Sequence, residues 1–208
     1  MKTRTFRTGG HFIAATLLVA VSASTIFYSC KKETEEQTPA YFLAESEKLV
    51  IPASIELPAN LPKGNTRIAT YYAEGVQKYV SRLVPGSIPA TYEWVFVAPE
   101  ADLFDASNNK VGTHGAGPHW RLSGGIDSIY AQSFNPPKYA FSPDPNSIDW
   151  LQLMPKTGKA PTGIFSNVNF VQRIATSGGK KPSGIPTSEG QVVNVKYSAV
   201  YRFSKQNQ

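Results

Sequence analysis

Sixteen glycines and sixteen prolines interrupt the 208 residues too often for helices of ordinary length. Beyond the first thirty residues no stretch shows a 3.6-residue apolar repeat, so the chain must build its core from strands. The last segment has the clearest period of two. Val193, Val195, Tyr197, Ala199, Tyr201 and Phe203 alternate with Asn194, Lys196, Ser198, Val200 and Arg202, which predicts a long strand with one buried face. Tyr92, Trp94, Phe96 and Ala98 alternate with Glu93, Val95 and Val97, and with both faces largely apolar they predict a central strand. Weaker strand patterns fall at residues 67–73, 76–82, 111–113, 126–130, 150–154 and 167–174. Turn signals separate them at Asn108-Asn109, Gly124-Gly125, Pro136-Pro137, Pro143-Asp144-Pro145 and Gly178-Gly179. The expected fold class is all-β, either a β-sandwich or a partly closed antiparallel β-barrel.

Residues 48–208 are long enough for one domain with a proper core, and no internal repeat suggests a propeller or solenoid. The net charge of +6 includes Lys2, Arg4 and Arg7 in a segment without acids. Without those three the balance is +3, and it is uneven: residues 30–56 hold three Lys and six Glu. The only basic cluster in the remainder is Lys180 with Lys181 in a Gly/Pro-rich loop. No stripe of basic residues interleaved with aromatic platforms occurs, so nucleic acid is not an expected partner.

The first residues combine a basic head with an apolar run from Phe12 to Phe27, followed by Ser29 and Cys30. This is the pattern of a secretory leader. Phe27-Tyr28-Ser29-Cys30 resembles the lipobox of bacterial lipoproteins, which implies a signal peptide over 1–29 and lipid on Cys30. The expected product is exported and anchored by lipid, at the outer membrane, on its periplasmic face or on the cell surface. Residues 30–47 read as an acidic flexible tether. Lys31-Lys32-Glu33-Thr34-Glu35-Glu36 resembles the surface-display signal of Bacteroides-type lipoproteins, and an ordinary periplasm-facing linker is the other reading. Cys30 is the single cysteine of the chain, so an intrachain disulfide, a thiolate zinc cluster and a Cys-based redox pair are excluded.

Two longer blocks carry a family likeness. Residues 92–105 read Tyr-Glu-Trp-Val-Phe-Val-Ala-Pro-Glu-Ala-Asp-Leu-Phe-Asp, and residues 111–120 read Val-Gly-Thr-His-Gly-Ala-Gly-Pro-His-Trp. With Asp149-Trp150-Leu151-Gln152-Leu153, Phe170-Val171-Gln172-Arg173 and the closing Tyr-rich strand, they resemble a family of secreted bacterial and fungal proteins catalogued as a domain of unknown function. The resemblance spans about residues 55–203 and implies fold and secretion but no activity. It also implies that relatives carry a cysteine pair where this chain has Ser81 and Gly184.

Candidate site residues come from few positions. His11 lies in the leader, so imidazole chemistry in the mature protein rests on His114 and His119. They flank Gly115-Ala116-Gly117-Pro118, where glycines allow close approach of a ligand to the backbone. With a carboxylate from elsewhere, His114 and His119 are candidate ligands of a bound metal ion in a two-His one-carboxylate site; backbone-bonded loop histidines are the plainer reading. Glu100 and Asp102 share a face if the strand continues past Pro99, roughly 6.5–7 Å apart at Cα, a separation usable by paired catalytic carboxylates. Turn formation by Asp105-Ala106-Ser107-Asn108-Asn109 is the competing reading of this acidic group. Gln172 and Arg173 lie on opposite faces of one strand, so one of them must find partners in the core. Trp94, Trp120 and Trp150 can pack in the core or stack on sugar rings or aromatic ligands.

No G-x-S-x-G elbow, H-E-x-x-H, phosphate loop or dinucleotide fingerprint occurs. The sequence therefore leads to three functional readings. The first is a lipid-anchored envelope module, monomeric and without a cofactor, that binds a small molecule or glycan without chemistry through His114, His119, Trp120, Trp150 and Arg173. The second is a hydrolase assisted by a metal at His114 and His119 or by Glu100 and Asp102, with His114 as a further catalytic candidate. The third is a structural interaction protein of the envelope.

Overall fold

The computed structural model describes residues 37–59 and 63–208. The leader, Cys30 with its expected lipid, and the acidic run at 31–36 lie outside the described residues. Eight strands form a ring: β1 (Asn65–Leu83), β2 (Tyr92–Phe104), β3 (Lys110–Gly115), β4 (His119–Leu122), β5 (Ser128–Ala140), β6 (Trp150–Pro155), β7 (Phe170–Gly178) and β8 (Val192–Gln206). Each pairs antiparallel with its sequence neighbour, and β8 returns to β1 to close the barrel. The all-β class stands, and between sandwich and barrel the chain adopts the barrel. The ring is uneven, because β1 has 19 residues and β4 only four.

Two of the expected strands, 67–73 and 76–82, are one continuous β1 through Gly75. That glycine is required by close packing: a Cβ there would sit 2.1 Å from the Glu100 carbonyl oxygen and 2.5 Å from the Ala101 Cα of β2. Pro99 does not end β2. β2 meets β3 only from Ala101 onward, so Pro99 lies where one edge of the strand has no neighbour, a place where proline is tolerated. Pro136-Pro137, expected as a turn, sits inside β5 at the register break between Ser133 and Lys138. β4 is too short for its alternation to stand out in the sequence.

Alternation sends one set of side chains inward. Ala73, Ala101, Leu103, Trp120, Ile129, Ala131, Leu153, Val171, Tyr197, Ala199, Tyr201 and Phe203 form the interior core. Eight strands leave an interior that side chains just fill, or that holds one small ligand. Both occur here at different heights. The lower end is plugged by Phe165 from a 3₁₀ turn (Gly163–Phe165), whose ring packs 4.7 Å from Phe203.

A second core lies outside the ring. Residues 39–46 fall in the segment expected to be a flexible tether, yet they form α1 (Pro39–Ser46). Thr38 caps it by accepting the Tyr41 N–H, and Pro39 occupies the first turn. Phe42 stacks on Tyr72 at 4.9 Å, and Leu43 joins Ile55, Trp150, Ile174 and Val200 in a buried cluster. Burying each such side chain contributes about 1.5–3 kcal/mol, which offsets the ordering cost that the acidic composition suggested could not be met. Arg202 faces outward from β8 beneath the helix and donates to the Ser46 carbonyl at 2.7 Å, with Glu47 at 3.4 Å. The segment from α1 to a 3₁₀ turn (Ala53–Ile55) thus straps the barrel wall. No helix among the described residues is long and apolar enough to cross a membrane.

The upper halves of β1, β2 and β8 extend beyond the rest of the ring, and residues 179–191 fold against them. Ser81, where relatives are expected to carry a cysteine, donates to the Ser188 carbonyl at 2.6 Å and accepts the Gln191 N–H at 2.8 Å. Trp94, paired with Ser81 across the strands, donates from Nε1 to the Gly184 carbonyl at 2.8 Å. Hydrogen bonds therefore tie β1 and β2 to the loop that a disulfide is expected to tie in relatives.

Candidate functional site

The open upper end of the barrel leads into a cavity of about 200 Å³. Its walls are apolar, from Phe96, Val97, Pro99, Pro118, Leu151 and Leu153; its polar groups come from Gln77, His114, Trp120, Ser133, Arg173 and Tyr201. This volume is below the roughly 300–1,000 Å³ of drug-sized pockets, so the cavity suits a small molecule.

His114 is placed by the β3–β4 hairpin. It pairs with Trp120 across the two strands, so both side chains point into the barrel. The rings stack at 4.5 Å with 12° between planes, and Tyr201 packs on both, 4.9 Å from His114 and 5.1 Å from Trp120. His114 Nδ1 lies 2.8 Å from the His119 carbonyl oxygen. A carbonyl only accepts, so Nδ1 carries the proton and Nε2 keeps its lone pair. Burial holds the His114 pKa down at about 3, against the partial opposition of that hydrogen bond and with smaller contributions from Arg173 and His119. The imidazole is therefore neutral at physiological pH.

Three donors lining the cavity close no hydrogen bond of normal geometry among the described residues: Gln77 Nε2, Trp120 Nε1 and the Tyr201 hydroxyl. All three side chains are essentially buried, none more than 2 % exposed. The Tyr197 hydroxyl beside them likewise closes no such bond among the described residues. Tyr197 approaches both Tyr201 and Gln77, and Tyr201 approaches Arg173, closely enough for hydrogen bonding to act on the phenols, but none of these contacts closes a bond of normal geometry. Burial raises both phenol pKa values, so both stay protonated and able to donate. The remaining orphaned polar atoms lie elsewhere: Trp150 and Gln152 point outward from β6, and Arg202 and Asn65 lie outside the cavity.

Arg173 enters from β7. Its Nε and Nη2 donate to the Asp149 carbonyl at 3.1 and 2.7 Å. Gln172, on the opposite face, is buried beneath the strap and donates to the Ile55 carbonyl at 2.7 Å. Both residues thus have carbonyl partners, but only Arg173 reaches the cavity.

The other sequence candidates fall in different places. His119 points out of the barrel, stacks on Tyr130 at 5.1 Å and bonds the Ala116 carbonyl through Nδ1 at 2.8 Å. His114 and His119 therefore face opposite sides of the sheet. No group of three or more His, Cys, Asp or Glu positioned to hold a metal ion occurs among the described residues. Glu100 and Asp102 do share a face, the outer one, where Glu100 pairs with Lys78 and Asp102 with Lys110 at 2.8 Å. Trp150 is in the outer core under the strap. Of the candidates, the cavity brings together His114, Trp120 and Arg173.

Sequence reasoning did not single out Gln77, Ser133 or Tyr201. A signal existed for two of them. Gln77 interrupts the inward series Ala73, Gly75, Tyr79, and Tyr201 and Tyr197 bring hydroxyls into an otherwise apolar face; buried polar atoms require partners.

The profile of a protein family described as being of unknown function, DUF3455, matches residues 62–205. The chain belongs to DUF3455. The match begins just before β1 and ends in β8, so the family domain is the barrel itself. It contains every cavity residue, while the α1 strap lies ahead of it. No curated protein and no solved structure matches the chain.

Proposed function

We propose that this DUF3455 barrel is a non-catalytic binding module that takes one small molecule into its upper mouth. The observation that carries the reading is the convergence on one cavity open to solvent of three buried donors, Gln77 Nε2, Trp120 Nε1 and the Tyr201 hydroxyl, none of which closes a hydrogen bond of normal geometry among the described residues. A buried polar group without a partner costs about 1–3 kcal/mol, so Trp120 Nε1, with the poorly satisfied Gln77 and Tyr201 beside it, favours a molecule that completes their bonds. A small ligand fits better than a glycan, because Trp120 and Trp150 are both buried and offer no exposed ring face. The placements also favour binding over hydrolysis: Glu100 and Asp102 face away from the cavity, each beside a lysine. We further propose export and lipid attachment at Cys30, supported by the leader pattern and the lipobox resemblance, which would hold the barrel in the cell envelope.

Calorimetric titration of the full chain in detergent with a panel of small organic molecules and oligosaccharides tests the reading. Binding of one small molecule per chain is expected, and Val97→Trp should abolish it. Val97 is exposed at the rim, so the substitution blocks the mouth without disturbing the core. Undiminished binding to a folded Val97→Trp variant would overturn the reading.

A further inference from the structure

Resting on that reading of the mouth, we infer that the ligand is a small organic acid bearing a hydroxyl, with its carboxylate on Arg173 and its hydroxyl donating to His114. The cavity is rich in donors and carries one positive charge. Nε and Nη2 of Arg173 are held on the Asp149 carbonyl, which fixes the guanidinium at the cavity wall. Among the described residues no carboxylate pairs with this guanidinium. It is half-buried, and its charge is felt at Tyr79, His114, Tyr197 and Tyr201. Charges withdrawn from water are ordinarily matched by a counter-charge, and here the described residues supply none.

A carboxylate provides that charge together with about four acceptor sites. The Arg173 guanidinium, Nε2 of Gln77 and the Tyr201 hydroxyl are all donors, and hydrogen bonds to an ionised acceptor are the strong kind. A cation or amine would meet the guanidinium's repulsion. A phosphate dianion would bring two charges to one guanidinium between apolar walls. A single carboxylate matches the charge, and the apolar wall of Phe96, Val97, Pro99, Pro118, Leu151 and Leu153 matches a hydrocarbon body. The hydroxyl follows from His114. With Nδ1 fixed on the His119 carbonyl, Nε2 accepts and cannot donate, so the ligand group that meets it must carry a hydrogen.

Calorimetry on the full chain in detergent with three probes of nearly equal shape tests this: 4-hydroxybenzoate, its neutral amide 4-hydroxybenzamide, and benzoate. 4-Hydroxybenzoate should bind one per chain, roughly tenfold or more tighter than the amide and several-fold tighter than benzoate. Arg173→Gln should shrink the advantage of acid over amide to about twofold or less, and His114→Phe should remove the preference for 4-hydroxybenzoate over benzoate. Should Arg173→Gln fail to fold, the comparison of the three probes on the native chain still decides. An amide that binds as tightly as the acid would overturn the organic-acid inference and leave the mouth standing as a ligand site. If none of the three binds at millimolar concentration, the organic-acid inference falls, and the mouth is judged by the wider panel with Val97→Trp.

Discussion

Replacing His114 by phenylalanine should remove a specific acid sensitivity from the fold. The phenyl ring can keep the stack on Trp120 but cannot take a proton. In the native barrel His114 is 4 % exposed and its pKa lies at about 3, against 6.5 in an open chain. Desolvation is the main cause, since an imidazolium among Trp120, Tyr201 and the Arg173 charge would lose its hydration. The folded pKa is depressed, so below pH 6.5 the unfolded chain binds a proton that the folded chain refuses. Stability is therefore complete above about pH 6.5 and falls as the pH drops toward 3, by about 1.36 kcal/mol per unit. From pH 7 to pH 5 the loss is about 2 kcal/mol, equivalent to about 4–8 °C in melting temperature for a chain of this size. That window stays above the usual carboxylate range, so Asp105 and Asp144, both held low by local hydrogen bonds, add little. Thermal melts followed by near-ultraviolet circular dichroism at the two pH values, native against His114→Phe, measure the difference. The native chain should lose those degrees and the variant should lose almost none. Equal losses would refute burial of a neutral His114 as the cause.

Three further outcomes follow from contacts outside the cavity. Ser81→Ala removes two hydrogen bonds at a fully buried position and should cost about 1–3 kcal/mol, with faster proteolytic cutting within residues 179–191; an unchanged cutting rate would show that the loop is held by other contacts. Arg202→Ala should cost about 2 kcal/mol or more through lost packing and the lost bond to Ser46, and hydrogen exchange should rise in residues 39–55 ahead of the barrel strands. Glu100→Gln combined with Asp102→Asn removes two exposed ion pairs and should change stability by less than about 1 kcal/mol; loss of binding to 4-hydroxybenzoate in that variant would contradict their outward placement.

The strand pattern made much of the barrel legible. β8 carries its inward and outward sets so cleanly that Tyr197, Ala199, Tyr201 and Phe203 could be assigned to one face from sequence, and the interior core contains all four. Closure of the ring was not legible, because it depends on β8 pairing with β1 across more than a hundred residues, a contact that no local period encodes. The helix was hidden for a different reason. Its eight residues are too few for a repeat to emerge, and the partners that hold it, Tyr72, Trp150, Ile174 and Val200, occupy outward positions that alternation alone assigns to solvent. At the site, His114, Trp120 and Arg173 could be named from residue type, but their convergence could not. His119 and Trp150 show why: one residue of register separates His119 from Trp120 and sends it to the opposite face, and Trp150 turns outward because its neighbour Leu151 turns in.

The most direct measurement of ligand binding onto inward donors follows the three tryptophan indole N–H resonances of the ¹⁵N-labelled full chain in detergent as 4-hydroxybenzoate is added, with Trp120→Phe assigning its own signal. Trp120 Nε1 is unpartnered in the cavity wall, whereas Trp94 Nε1 is bonded to Gly184 and Trp150 lies in the outer core. The Trp120 signal should move to saturation at one equivalent while those of Trp94 and Trp150 stay in place. A probe that binds calorimetrically but leaves Trp120 unmoved would place the ligand elsewhere and contradict the assignment of the barrel mouth.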